Sequence, residues 1–103
     1  MDLEQAREIF LQVLSSIPGI VSIHEINLSS DQIDEENRKD INEILQVEKL
    51  QKGWRFGCSL VILYGLSAKS IVNQIYKQLK FILSKNKEKL YGINIFIKGV
   101  HYE

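Results

Sequence analysis

The sequence holds one cysteine, one proline and two histidines. A lone Cys58 closes no internal disulfide and cannot build a cysteine-rich zinc site, and this usage suits a reducing compartment. No apolar run approaches the about 20 residues that a membrane-spanning helix needs. The start, Met1-Asp2-Leu3-Glu4, is acidic, whereas a secretory leader opens with basic residues and a continuous apolar run. These features point to a soluble, cytoplasmic chain that reaches a membrane only through a partner.

What is present suffices for one domain. The chain has 103 residues, 45% apolar and 25% charged, values that support a packed core without staples. Net charge is zero but unevenly laid out. Residues 1–51 carry eleven acidic and four basic side chains, while residues 66–103 carry seven lysines against Glu88 and Glu103. The plainest reading is that the two halves neutralise each other on solvated faces of one fold.

Leu3, Ala6, Phe10, Val13, Leu14 and Ile17 recur at helical spacing, with Asp2 placed as the cap and Pro18-Gly19 as the stop. Ile20 to Leu28 reads as a strand whose alternation breaks, which a bulge near His24 and Glu25 would reconcile. Residues 29–52 form an acidic excursion in which Ile41, Ile44, Leu45 and Glu48 suggest a short helix near 35–50, capped by Ser30 or Asp31, the alternative being a mobile arm. From Gly53 to Tyr64, Trp54, Phe56, Cys58, Leu60, Ile62 and Tyr64 share one face of a strand. Ser67 caps a second helix with the stripe Ala68, Ile71, Val72, Ile75, Leu79, Ile82 and Leu83. Gly92 to Val100 is the last strand. The expected fold is α+β: a two-layer sandwich with a three-stranded mixed sheet covered on one face by two helices.

Few motifs carry chemistry. His24 and His101 stand in no ligand spacing, and Cys58 lies mid-strand, where cysteine behaves as a small hydrophobe. The cluster Asp31, Asp34, Glu35, Glu36 lacks the glycine and the terminal glutamate of a calcium loop. No glycine-rich phosphate loop follows a strand. The expectation is no cofactor, no metal and no catalysis.

Two surfaces remain. Lys69, Lys77 and Lys80, near Asn73, form a basic face on the second helix, extended by Lys85, Lys87 and Lys89; such patches attract phosphate backbones. The aromatics that stacking requires are expected mainly on the core face, so a solvated helix face is the plainer reading. The second surface is the face of the sheet away from the helices, with Val61, Leu63 and Phe96. An uncovered apolar patch there marks an interaction site, unless residues 29–52 fold over it.

The order of segments resembles the bacterial alkaline shock protein family. The resemblance rests on Ile17-Pro18-Gly19-Ile20-Val21-Ser22-Ile23, on Leu60-Val61-Ile62-Leu63-Tyr64-Gly65 followed by the helix from Ser67, and on Ile93 to Lys98 closing in Gly99-Val100. It covers nearly all of the chain except 29–52. Leu63 stands where an acidic residue commonly precedes Tyr-Gly, and the usual Thr-Gly after the second helix is missing. The resemblance implies a cytoplasmic protein of envelope stress or homeostasis, self-association, and in some relatives an integral membrane partner; it brings no catalytic residues. The expectation is a protein-interaction or scaffold module, and the alternative is a weak RNA-binding domain using the basic helix, without the Gly-x-x-Gly loop of hnRNP-K-homology folds.

Overall fold

A computed structural model describes residues 1–24 and 44–102. Its elements are α1 (Leu3–Ser16), β1 (Ile20–His24), β2 (Gln46–Leu50), β3 (Gly53–Leu63), α2 (Ala68–Lys85) and β4 (Leu90–His101). The class is α+β, with one four-stranded sheet among the described residues.

Helix α1 starts where the sequence places its cap. The Asp2 carboxylate accepts the Gln5 backbone N–H at 2.8 Å, and the Gln5 side chain accepts the Asp2 N–H at 3.0 Å. This reciprocal pair satisfies two backbone donors that a helix start leaves free. At its other end the chain turns through Gly19, whose φ is 99°. A side chain there would collide with Leu66, and the Gly19 carbonyl accepts the Leu63 N–H at 2.9 Å. The turn after α1 is thereby pinned to the end of β3.

Strand β3 organises the sheet. Along one edge it pairs parallel with β4, from Trp54 opposite Leu90 to Leu63 opposite His101. Its other edge takes β1 and β2 in succession, both antiparallel: β1 faces residues 59–62 and β2 faces residues 53–57. The mixed sheet is therefore three lanes wide and holds four strands where three were expected. The fourth is a correction. Gln46–Leu50 was expected at the end of a short helix, yet it is a strand that turns through Gln51 and Lys52 into β3. Cross-strand pairing outweighs the weak helical spacing of a few apolar residues. The excursion accordingly ends before Leu45, which is buried in the core. The rest of the expected helix, its caps and the acidic cluster lie outside the described residues.

Bulges also correct the strand reading. In β1 an irregularity falls at Val21, between Ile20 and Ser22, while the bulge expected near His24 and Glu25 and the strand beyond it reach outside the described residues. One extra residue reverses the parity, so Ile20 and Ile23 both pack on the core while Val21 is exposed. A second shift between Leu60 and Val61 places Ile97 opposite Leu60 and Gly99 opposite Val61.

The core lies between the helices and the even-numbered face of β3. Ala6, Phe10, Val13 and Leu14 of α1 and Ile71, Ile75, Leu79 and Leu83 of α2 join Trp54, Phe56, Cys58, Leu60 and Ile62. Phe10 and Phe56 meet at 5.1 Å between ring centres, a tilted contact that adds to their burial. Each such side chain contributes about 1.5–3 kcal/mol by leaving water. Tyr64 does not join them: β3 ends at Leu63, and Tyr64 is exposed and stacked on Tyr102 at 4.5 Å.

Ser67 caps α2 by accepting the Ser70 N–H at 3.2 Å. The helix closes with the Glu88 N–H donating to the Leu83 carbonyl and the Lys87 N–H to that of Ser84. That pattern needs a left-handed residue at its turn, and Lys87 takes it, at φ 58°.

Candidate interaction surfaces

The face of the sheet away from the helices is polar at one end and apolar at the other. At the polar end Arg55 donates to Glu48 across the β2–β3 pair at 2.7 Å; both are half exposed, so the pair contributes little stability. Gly57 and Ser59 in the middle lane are small and buried between their neighbours. Toward the end of β3 lie Val61 and Leu63, each half-buried, and Phe96 of β4, 43% exposed, opposite Ser59. The structure thus places the three residues on adjacent lanes of one face.

His24 borders this patch, also opposite Ser59, with its Nε2 2.8 Å from the Ser22 hydroxyl. Burial holds its pKa below the ordinary histidine value, and the Lys98 charge lowers it further. His101 pairs with Leu63 at the sheet's end. Cys58 is enclosed, and burial raises its thiol pKa to about 12. Such a thiol is not a nucleophile at neutral pH. No group of three metal-ligating side chains occurs among the described residues.

Sequence reasoning missed a further group of exposed apolar and aromatic side chains. Val21, Tyr64, Leu66, Val100 and Tyr102 are all exposed near the same end of the sheet. Their signal is hidden because alternation alone carries Tyr64 one residue too far, into the core.

Helix α2 presents Lys69, Lys77 and Lys80 to solvent on the opposite side of the molecule. It contains no carboxylate at all. The expectation that aromatics sit mainly on the core face is corrected here: Tyr76 and Phe81 are 40% and 60% exposed among the lysines. The Lys80 ammonium lies 5.9 Å from the Tyr76 ring centre and that of Lys85 lies 4.5 Å from Phe81. Helical spacing of four brings each pair together.

Two depressions lie among the described residues. One, of about 410 Å³, lies between the helices and is lined by Gln5, Glu8, Gln12, Ile82 and Asn86 among others. The other, of about 280 Å³, lies where the β2–β3 turn meets the α2–β4 turn and collects Lys49, Lys52, Lys87 and Lys89 around Trp54 and Glu88. No helix among the described residues is long and apolar enough to cross a membrane.

Comparison with known proteins yields no matching family model, no matching curated protein and no matching solved structure.

Proposed function

We propose that this chain is a non-catalytic protein-interaction or scaffold module of the cytoplasm, using the outer face of its sheet. The observation that carries the reading is the exposure of Phe96 beside Val61 and Leu63, on the face that neither helix covers. Apolar side chains grouped on a folded surface stabilise an interface when a partner removes them from water. The first partner proposed is a second copy of the chain. In keeping with the resemblance to alkaline shock proteins, an integral membrane anchor is the second, in a role in envelope homeostasis. The test is Phe96→Asp, which buries a charge in any such interface and leaves the core untouched. Loss of assembly with an unchanged fold supports the reading; unchanged mass and partner binding sink it.

A second reading gains from one observation. Tyr76 and Phe81 stand exposed among Lys69, Lys77, Lys80 and Lys85 on a helix without carboxylates. Lysines with interleaved aromatic rings are the means by which single strands are held without sequence preference. Replacing Lys69, Lys77 and Lys80 by glutamine should then abolish RNA binding, and an unaltered affinity removes this alternative.

A further inference from the structure

Four lysines from two turns distant in sequence line one small depression. Lys49 and Lys52 come from the β2–β3 hairpin; Lys87 and Lys89 come from the turn between α2 and β4. The two turns are joined by backbone: Trp54 N–H donates to the Lys89 carbonyl at 2.8 Å. Gly53, at φ 138°, lies so close beneath that carbonyl that an added Cβ would stand 2.6 Å from its oxygen. The lysines therefore stand on a fixed base. The Lys49 ammonium is 5.6 Å from the centre of the Trp54 ring, which lines the depression.

Glu88 is the one carboxylate among the lining residues, and it is already engaged. It accepts the Trp54 indole N–H at 3.1 Å and lies 3.4 Å from the Met1 amino group. The lining residues include four lysines against one carboxylate, a formal surplus of three positive charges around a depression of about 280 Å³. A second observation points the same way. Lys87 holds a left-handed backbone, φ 58°, at the helix-ending position where glycine is usual and a side chain is strained. Strain kept at one residue is a reason to look for what its side chain does there.

We infer that this depression binds a chain of two or three linked phosphates. Its formal charge matches such a ligand and its volume has room for the phosphates. The inference is independent of the sheet's outer face and uses none of Lys69, Lys77 and Lys80.

The test titrates inorganic triphosphate into the full ¹⁵N-labelled chain at about 0.15 M salt, where loose charge attraction is screened. The Trp54 indole and the Gly53 and Lys87 amide signals should shift saturably. The double variant Lys49→Gln/Lys89→Gln should bind about tenfold more weakly, while Lys69→Gln/Lys77→Gln should bind as the parent does. Lys87→Gly should melt at a higher temperature and yet bind more weakly, a pairing that a purely structural lysine does not give. Adenosine triphosphate in a parallel titration tells a free phosphate chain from one carried on a nucleotide. The inference is overturned by the absence of a saturable shift at Trp54, by equal losses in the two lysine pairs, or by undiminished binding in Lys87→Gly. Binding of a single-stranded oligonucleotide without binding of triphosphate overturns it too.

Discussion

His24 and Gln46, far apart in the chain, stand almost side by side along one edge of β3: His24 faces Ser59 and Gln46 faces Gly57. One place is left between them, opposite Cys58, and Leu45 has the character to fill it, being already buried in the core. Joining His24 directly to Leu45 would put β1 and β2 into one unbroken register. The chain is thus a long β-hairpin interrupted by residues 25–44. Deleting that segment should leave a folded protein whose melting temperature is no lower, since a shorter connection between two fixed strand ends costs less entropy. Thermal unfolding of the deletion variant checks this, and a chain that fails to fold refutes the register argument.

The two turns beneath Trp54 predict opposite effects from neighbouring substitutions. Gly53→Ala forces a side chain into the Lys89 carbonyl at a left-handed backbone position and should cost about 2–3 kcal/mol. Lys87→Gly relieves a left-handed lysine and should stabilise by about 1 kcal/mol. Urea unfolding of both variants measures the difference. A neutral Gly53→Ala would show that the turns are not joined as described.

Acid should loosen the same corner. The Trp54 indole N–H, chiefly, holds the Glu88 carboxyl below its ordinary range, against a smaller opposing effect of burial. A lowered folded-state pKa means the unfolded chain takes up the proton first. The stabilisation is complete above the unfolded value of about 4.3 and is lost as pH falls through the lowered folded value. The urea midpoint should drop across that window in the parent and drop less in Glu88→Gln. Parallel pH profiles for the two would contradict the assignment.

The central strand and both helices are legible in the sequence because their patterns are long. Five even-numbered residues of β3 and the stripes of α1 and α2 repeat often enough to define a face. Strand β2 is hidden because Gln46–Leu50 has two apolar residues, and Ile41, Ile44 and Leu45 before it mimic a helix. The bulges at Val21 and before Gly99 change parity through backbone geometry that side-chain type does not record. Val61, Leu63 and Phe96 could be assigned to one face from alternation alone, since they lie before the second shift takes effect or on β3 itself. The lysine depression is invisible in the sequence because its halves meet only when the two turns pack together.

The role of the sheet's outer face is tested most directly by sedimentation equilibrium of the parent chain and Phe96→Asp at matched concentrations. The account predicts a parent mass above that of the 11.9 kDa monomer, a monomeric Phe96→Asp, and the same melting temperature for both. Equal masses for the two proteins, with partner capture from membranes also unchanged, would contradict it.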